Sequence, residues 1–245
     1  MNNKPLNICI LAAGKGTRMN SELPKVLHKI NNKPIIHFVI EKSMALNPDK
    51  IILIVGYKKD LVKESVKIFD IDFAYQEEQK GTAHAIEQCI TQIKNLNGNT
   101  LVLSGDVPLI SIETLDKLIS IHSKNNSIAS ILSADINDPS GYGRIIRNNT
   151  NDFLKIIEHK DATSEQLKIN EINSGIYLFN TDTLCQKIFL IKNNNMQNEY
   201  YLTDIFNHVN TANVSIHKTD NIDEINGVNT IQQLENLEET IINEQ

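Results

Sequence analysis

Apolar runs of strand length alternate with amphipathic stretches through the first half of the chain. Ile8 to Ala12, Ile51 to Val55, Ile71 to Tyr75 and Thr100 to Leu103 are strand candidates. Between and after them, Ile35 to Ala45, Lys59 to Ile68, Thr82 to Lys94 and Ile112 to Ser123 return apolar residues at every third or fourth position, which predicts helices. Strands that alternate with helices in this way assemble into a parallel sheet with helices on both faces.

Beyond Ser127 to Ala134, another strand candidate, the pattern shifts to shorter extended pieces at Arg144 to Arg147, Phe153 to Glu158 and Gly175 to Asn180. These predict a mixed extension of the same sheet. Ile231 to Ile242 carries leucine and isoleucine at helical spacing among many acids and predicts a closing helix packed on the body. No linker rich in Pro, Gly or Ser divides the chain, and no repeat is visible, including the hexapeptide repeat of a left-handed β-helix. The expectation is an α/β chain with a Rossmann-like, mostly parallel mixed sheet: one domain over residues 1–230, with residues 231–245 as a helix on the same domain.

Composition narrows the choice of ligands. At 245 residues with 40% apolar and 22% charged residues the chain has the makings of an ordinary globular core and surface. A net charge of -6 provides no general field for DNA or for a membrane surface, so an anionic ligand has to be held by a local basic cluster. Cys9, Cys89 and Cys185 lie far apart inside apolar patterns and predict buried free thiols. With no export signal and no membrane-length apolar run, the expectation is a cytoplasmic protein.

The first strand runs into Leu11-Ala12-Ala13-Gly14-Lys15-Gly16-Thr17-Arg18-Met19, where glycines and small residues let backbone N–H groups approach a ligand closely, as phosphates require. The spelling excludes a Walker loop, and Met19 stands where a dinucleotide fingerprint needs its third glycine. Arg18 and Lys25, the latter in Leu23-Pro24-Lys25-Val26-Leu27, supply two cations able to neutralise a triphosphate. Taken alone, the loop is more readily a tight turn after a strand, and Lys25 more readily a solvated lysine.

The whole set of motifs is more specific. L-A-A-G-K-G-T-R-M followed by L-P-K-V-L-H resembles the opening of bacterial N-acetylglucosamine-1-phosphate uridylyltransferases, and further stretches match in order. Gln76 to Ala85 resembles the base-binding segment of that family, and Gly105-Asp106-Val107-Pro108-Leu109 its metal-binding strand end. Gly141 to Ile145, Glu158-His159-Lys160-Asp161-Ala162, Glu171 to Gly175, Glu199 to Asp204 and Gly227-Val228-Asn229 resemble its sugar-pocket and metal-site motifs. The first motif is shared among sugar nucleotidyltransferases, whereas E-H-K-D-A, E-I-N-S-G and E-Y-Y-L-T-D point to the uridylyltransferase subgroup.

The resemblance implies a nucleotidyltransferase fold and magnesium-dependent transfer of a uridylyl group from UTP to N-acetylglucosamine 1-phosphate, with pyrophosphate released. Arg18, Lys25 and Asp106 are the implied catalytic residues, and Asp106 with Asn229 the implied Mg2+ ligands. Leu11, Ala12, Ala13, Gly14, Gln76, Gly81, Thr82, Gly105, Gly143, Glu158, Asn173, Tyr200 and Asn229 are the implied substrate contacts. Most members of the family continue into an acetyltransferase β-helix; this chain stops after the helix that would lead into it, and no acetyltransferase activity is expected. A homo-oligomer and a separate acetyltransferase partner are both left open.

The chemistry of these residues fits the implied roles. The Gln76 amide offers a donor and an acceptor to the imide edge of uracil, with Gly81 completing the pair and Thr82 supporting the wall. Asp106 follows a parallel strand at the sheet edge where ligands of such folds collect. Magnesium takes hard oxygen ligands and keeps others as water or phosphate, so one Asp and one Asn suffice. Asn229 is equally placed to be the N-cap of the closing helix. Glu158, Asn173 and Gly143 can meet sugar hydroxyls or an acetamido group, with Tyr200 and Tyr201 closing the pocket. Ser104 stands where some relatives carry an aromatic residue, which removes a stacking contact there. His28, His84 and His159 are given no general-base role, because a sugar phosphate is already anionic at neutral pH. The alternatives are the same chemistry on another sugar 1-phosphate or base, or a non-catalytic UDP-sugar sensor.

Overall fold

The structure is a computed structural model that describes residues 4–243, with side chains described as far as residue 238. Residues 1–3 and 244–245, the two ends of the expected domain and helix, lie outside the described residues. In chain order the elements are β1 (Leu6–Ala12), β2 (Lys29–Ile30), β3 (Lys33–Pro34), α1 (Ile35–Ala45), β4 (Lys50–Val55), α2 (Lys59–Val66) and β5 (Asp72–Tyr75). There follow α3 (Thr82–Glu87), α4 (Ile90–Ile93), β6 (Asn99–Ser104), α5 (Ile112–Lys124), β7 (Ala129–Asp135), β8 (Gly143–Arg147) and β9 (Phe153–Ile157). The last are β10 (Glu171–Asn180), α6 (Thr181–Lys187), β11 (Val214–Lys218) and α7 (Ile231–Asn243).

The central sheet runs β11-β7-β10-β6-β1-β4-β5, with β8 on β10 and β9 on β8. β1 pairs in parallel with β4 and β6, β4 with β5, and β7 with β11, whereas β10 is antiparallel to both β6 and β7. This is the mostly parallel mixed sheet that the apolar runs predict. The chain moves outward from β1 through β4 and β5, then returns to the other side of β1 as β6. The strand order therefore reverses at β1, and a crevice opens beyond the carboxyl ends of β1 and β6, the position where open α/β sheets bind ligands.

Alternation along β1 divides the core between two faces. Ile8 and Ile10 join Ile36, Val39 and Ile40 of α1 and Leu115 and Leu118 of α5. Cys9 joins Ala83 and Ile86 of α3 and Leu184 of α6 on the opposite face. A third cluster, Met19, Ile30, Ile35, Val228 and Leu237, fastens α7 to the segment between β1 and α1. Among the described residues no helix is long and apolar enough to cross a membrane.

Three expectations need correction. The helix expected over Thr82 to Lys94 bends into α3 and α4, because the backbone tightens to three-residue hydrogen bonds, Gln88 N–H to Ala85 O at 3.1 Å and Cys89 N–H to Ile86 O at 3.0 Å. The Cys89 thiol also lies 3.4 Å from Cys9 on β1, which ties the bend to the sheet. β10 begins at Glu171 rather than Gly175; a register shift between Asn173 and Tyr177, with Gly175 at φ +81°, interrupts the alternation by which the strand would be read. Cys9 and Cys89 are buried free thiols, as expected, whereas Cys185 on α6 is only half-buried. The hairpin β2–β3, α6 and β11 are further elements that patterning alone does not predict; the hairpin turns on Asn31 and Asn32, both in the left-handed region.

Candidate active site

The carboxyl ends of four parallel strands are held level by backbone hydrogen bonds. Gly105 N–H donates to Leu11 O at 2.9 Å, Tyr57 N–H to Ala13 O at 3.1 Å and Gln76 N–H to Val55 O at 2.8 Å. Leu11, Ala12, Ala13, Gly14, Lys25, Gln76, Gly81, Thr82 and Asp106 line one cleft of about 320 Å3 at this edge. Gln79, Ala85 and Glu199, which lie in the matching motifs but are not among the implied contacts, line it as well.

Glycines shape the floor in two ways. Among the described residues a Cβ on Gly14 would meet nothing within 4 Å, so the loop after β1 has open space above it. Gly16 has φ +63°, and a Cβ there would come within 2.6 Å of the Lys25 Cβ. The absence of a side chain at Gly16 is thus what lets Lys25 lie against the loop.

Lys25 forms an ion pair with Asp106 and donates to the Asn229 side-chain carbonyl at 3.0 Å, and Arg18 donates to the same oxygen at 2.7 Å. Four residues drawn from three separate segments therefore converge beside the phosphate-type loop. Asp106 is brought there by Gly105, whose Cβ would stand 2.9 Å from Leu11 O, and Asn229 by a backbone bond from Val228 N–H to Asp106 O at 2.9 Å. The cap of α7 is Thr230, whose hydroxyl accepts from Gln233 N–H at 3.2 Å. The alternative of a capping Asn229 is thereby corrected, and its side-chain oxygen faces Arg18 and Lys25 instead.

The donor set fits a hard divalent cation. Asp106 Oδ2 and Asn229 Oδ1 already flank one cation, the Lys25 ammonium. Among the described residues no group of three or more His, Cys, Asp or Glu side chains could hold a metal. One carboxylate and one amide oxygen, completed by phosphate and water, is a pattern that magnesium accepts.

On one side of this cluster stands the wall that carries Gln76. Its side-chain N–H2 donates to Gly81 O at 2.9 Å and lies 3.1 Å from His84 Nδ1. The donor half of the amide is used within the protein, so the side chain meets a ligand with its carbonyl oxygen. Gly81 has φ +112°, and a Cβ would stand 2.5 Å from Tyr200 O. Tyr200 is laced onto the same turn by Tyr200 N–H to Lys80 O and Ala83 N–H to Tyr200 O, both at 2.8 Å, and Thr82 Oγ1 accepts from Leu202 N–H at 2.9 Å.

On the other side, Gly143 and Asn173 are partners in the β8–β10 register, and a Cβ on Gly143 would lie 3.5 Å from Glu158 Oε2. Glu158 Oε1 accepts from the Thr203 hydroxyl at 2.9 Å, and burial pushes the Glu158 carboxyl above its ordinary pKa. The Asn173 amide donates to the Tyr177 hydroxyl at 2.6 Å. Of the two neighbouring tyrosines, Tyr201 lines a hollow with Glu158, while Tyr200 packs on the Gly81–His84 wall. A second hollow of about 520 Å3 is bordered by both Arg18 and Glu158, which relates this region to the cationic cluster.

A cleft at the switch point of a Rossmann-like sheet, with an open glycine loop and a cation–carboxylate–amide cluster, defines a nucleotide-handling transferase site. The chain belongs to the nucleotidyl transferase family, which it matches over residues 8–224. It is 49% identical over 232 residues to the bifunctional protein GlmU of Thermosipho melanesiensis, an alignment that covers 95% of this chain and 50% of that protein. It is 44% identical to the bifunctional protein GlmU of Prochlorococcus marinus, over 96% of this chain and 53% of that protein. The corresponding figures for that of Halalkalibacterium halodurans are 42%, 96% and 52%. The chain spans about half the length of these curated relatives.

Proposed function

We propose that this chain transfers a uridylyl group from UTP to N-acetylglucosamine 1-phosphate, giving UDP-N-acetylglucosamine and pyrophosphate. The observation that carries the reading is the convergence of Arg18, Lys25, Asp106 and Asn229 beside the open Gly14 loop, between the Gln76 wall and the Glu158 hollow.

In this reading the uracil N3–H donates to Gln76 Oε1, and the backbone around Gly81 meets the rest of its imide edge. The triphosphate lies over Ala13 and Gly14, where backbone N–H groups are open to it. Glu158 and Asn173 face the hydroxyl and acetamido groups of the sugar, and Gly143 leaves room for the ring. A phosphate oxygen of the sugar phosphate attacks the α-phosphorus of UTP, one P–O bond forms and the bond to pyrophosphate breaks. The nucleophile is already anionic, so no side chain has to remove a proton. Arg18 and Lys25 stabilise the charge that gathers on the α-phosphate and on the departing pyrophosphate. Asp106 and Asn229 would hold magnesium, which supplies Lewis-acid stabilisation of the phosphate oxygens. The remaining contribution is positioning of the two substrates.

The test is pyrophosphate release from UTP with N-acetylglucosamine 1-phosphate and magnesium, against glucose 1-phosphate and a sample without magnesium. Release with the acetylated sugar and magnesium alone supports the reading. No release with either sugar, while UDP-N-acetylglucosamine still binds, would replace it with that of a sensor.

A further inference from the structure

We propose that Gln233, on the first turn of α7, is a positioning residue for the amide of Asn229. The inference rests on Asp106 and Asn229 being the metal site of the proposed reaction. The Gln233 side-chain carbonyl accepts two backbone hydrogen bonds, from Asn229 N–H at 2.8 Å and from Thr230 N–H at 3.1 Å. The Thr230 hydroxyl accepts from Gln233 N–H in return, at 3.2 Å. This is a reciprocal helix cap, but with its reach extended by one residue into the cleft. An ordinary cap needs only the bond between Thr230 and Gln233; the bond to Asn229 does nothing for the helix that Thr230 does not already do.

What that bond does is fix the backbone of Asn229. The side chain is then turned by its own N–H2, which donates to Gly227 O at 3.1 Å and leaves Oδ1 toward Arg18 and Lys25. The direction matters because a reversed amide would present N–H2 to a cation and repel it. Gly227 leaves no slack on the other side, since a Cβ there would lie 3.2 Å from Asp106 Oδ2. Helix α7 is itself anchored to the segment that carries the two cations. Leu237 packs with Met19, Ile30 and Ile35, and the Glu238 carboxylate accepts from Asn31 N–H at 2.8 Å. Through Gln233, the ligand at 229 and the cations at 18 and 25 are referred to one helix. Groups that orient a ligand from outside the coordination sphere affect metal affinity by tenfold or more when removed.

The experiment is Mn2+ binding to the chain saturated with UDP-N-acetylglucosamine, whose phosphates complete the site, read by electron paramagnetic resonance of the free ion. Wild type, Gln233→Ala, Gln233→Glu, Thr230→Ala and Asn229→Ala are compared, with thermal melting of each. Gln233→Ala is expected to weaken Mn2+ binding about tenfold, and Gln233→Glu, which keeps the acceptor oxygen, to restore it. Thr230→Ala is expected to lower the melting temperature, as loss of a cap does, without weakening Mn2+ binding. Equal affinity in wild type and Gln233→Ala, or an equal loss in Thr230→Ala, overturns the role of Gln233 and leaves the metal site standing. Mn2+ binding that Asn229→Ala does not weaken overturns the metal site, and the inference with it.

Discussion

Lys25 places its ammonium between the Asp106 carboxylate and the Asn229 side-chain carbonyl, 3.0 Å from the latter, the two residues that would hold a divalent cation. In the proposed reading, Lys25 would compete with a metal held by Asp106 and Asn229, and would turn to phosphate when the metal is bound. Lys25→Ala is expected to lower turnover by about 10²-fold, the scale for losing one electrostatic group, and at the same time to tighten Mn2+ binding to the free protein. The two measurements are steady-state pyrophosphate release and a Mn2+ titration without nucleotide. Weaker Mn2+ binding in the variant would show that the lysine does not compete.

Asp106→Asn keeps the shape of the side chain and removes its charge. The expected loss is about 3 kcal/mol of transition-state stabilisation, or roughly a hundredfold in turnover at saturating magnesium. Lys25 also loses its counter-ion, and with the two side chains only 18% and 17% exposed a lower melting temperature is expected, so turnover is compared well below it. Turnover close to wild type at high magnesium would remove Asp106 from the metal site.

The two glycines of the first loop make opposite predictions. Gly16→Ala forces an L side chain into the left-handed region and against the Lys25 Cβ, and is expected to cost about 1–3 kcal/mol of stability. Among the described residues nothing lies within 4 Å of a Cβ on Gly14, so the fold should tolerate Gly14→Ala, while the added methyl would enter the space that the proposed reading gives to the triphosphate. Its expected effect is a raised KM for UTP at an unchanged melting temperature. Circular dichroism melts and UTP saturation curves separate the two cases, and equal KM values for wild type and Gly14→Ala would take the triphosphate off this loop.

How far these features can be read in the sequence depends on how local they are. The β1, β4 and β6 strands are apolar runs on both faces, and α1 and α5 keep one apolar stripe each, so their bounds are recovered to within two residues. β10 hides its first half because Glu171, Asn173 and Ser174 are buried polar residues; Glu171 is satisfied by Arg147 and Ser133, which lie 24 and 38 positions away. β11 is a five-residue edge strand with one buried residue, Ser215, too short for alternation to stand out. In the site, the glycine loop and Asp106 are legible as strand-end chemistry. The contact between Arg18 and Asn229 spans 211 positions, and no local pattern could foretell it. Gln233 had a local signal in Thr230-Ile231-Gln232-Gln233, the spelling of a reciprocal cap, whose placement next to Asn229 is what gives it meaning.

His122 makes stability a function of pH for a reason separate from the chemistry of the cleft. It sits at the end of α5 with only 2% of its surface exposed, its Nδ1 is 2.9 Å from the Ser130 hydroxyl, and its buried Nε2 has no partner among the described residues. Burial, with a smaller push from Lys4, lowers its pKa to about 4. In the unfolded chain the imidazole takes up its proton near pH 6.5. Between those values the unfolded chain therefore binds more protons than the folded one, and stability rises with pH. The contribution is fully present above about pH 6.5 and is lost as the pH falls toward about 4, for a total on the order of 3 kcal/mol. His122→Asn keeps a polar group near Ser130 but cannot titrate. Urea melts of both proteins across this range should show a shallower pH dependence in the variant. The same slope in both would mean that His122 is already protonated, or already solvated, in the folded chain.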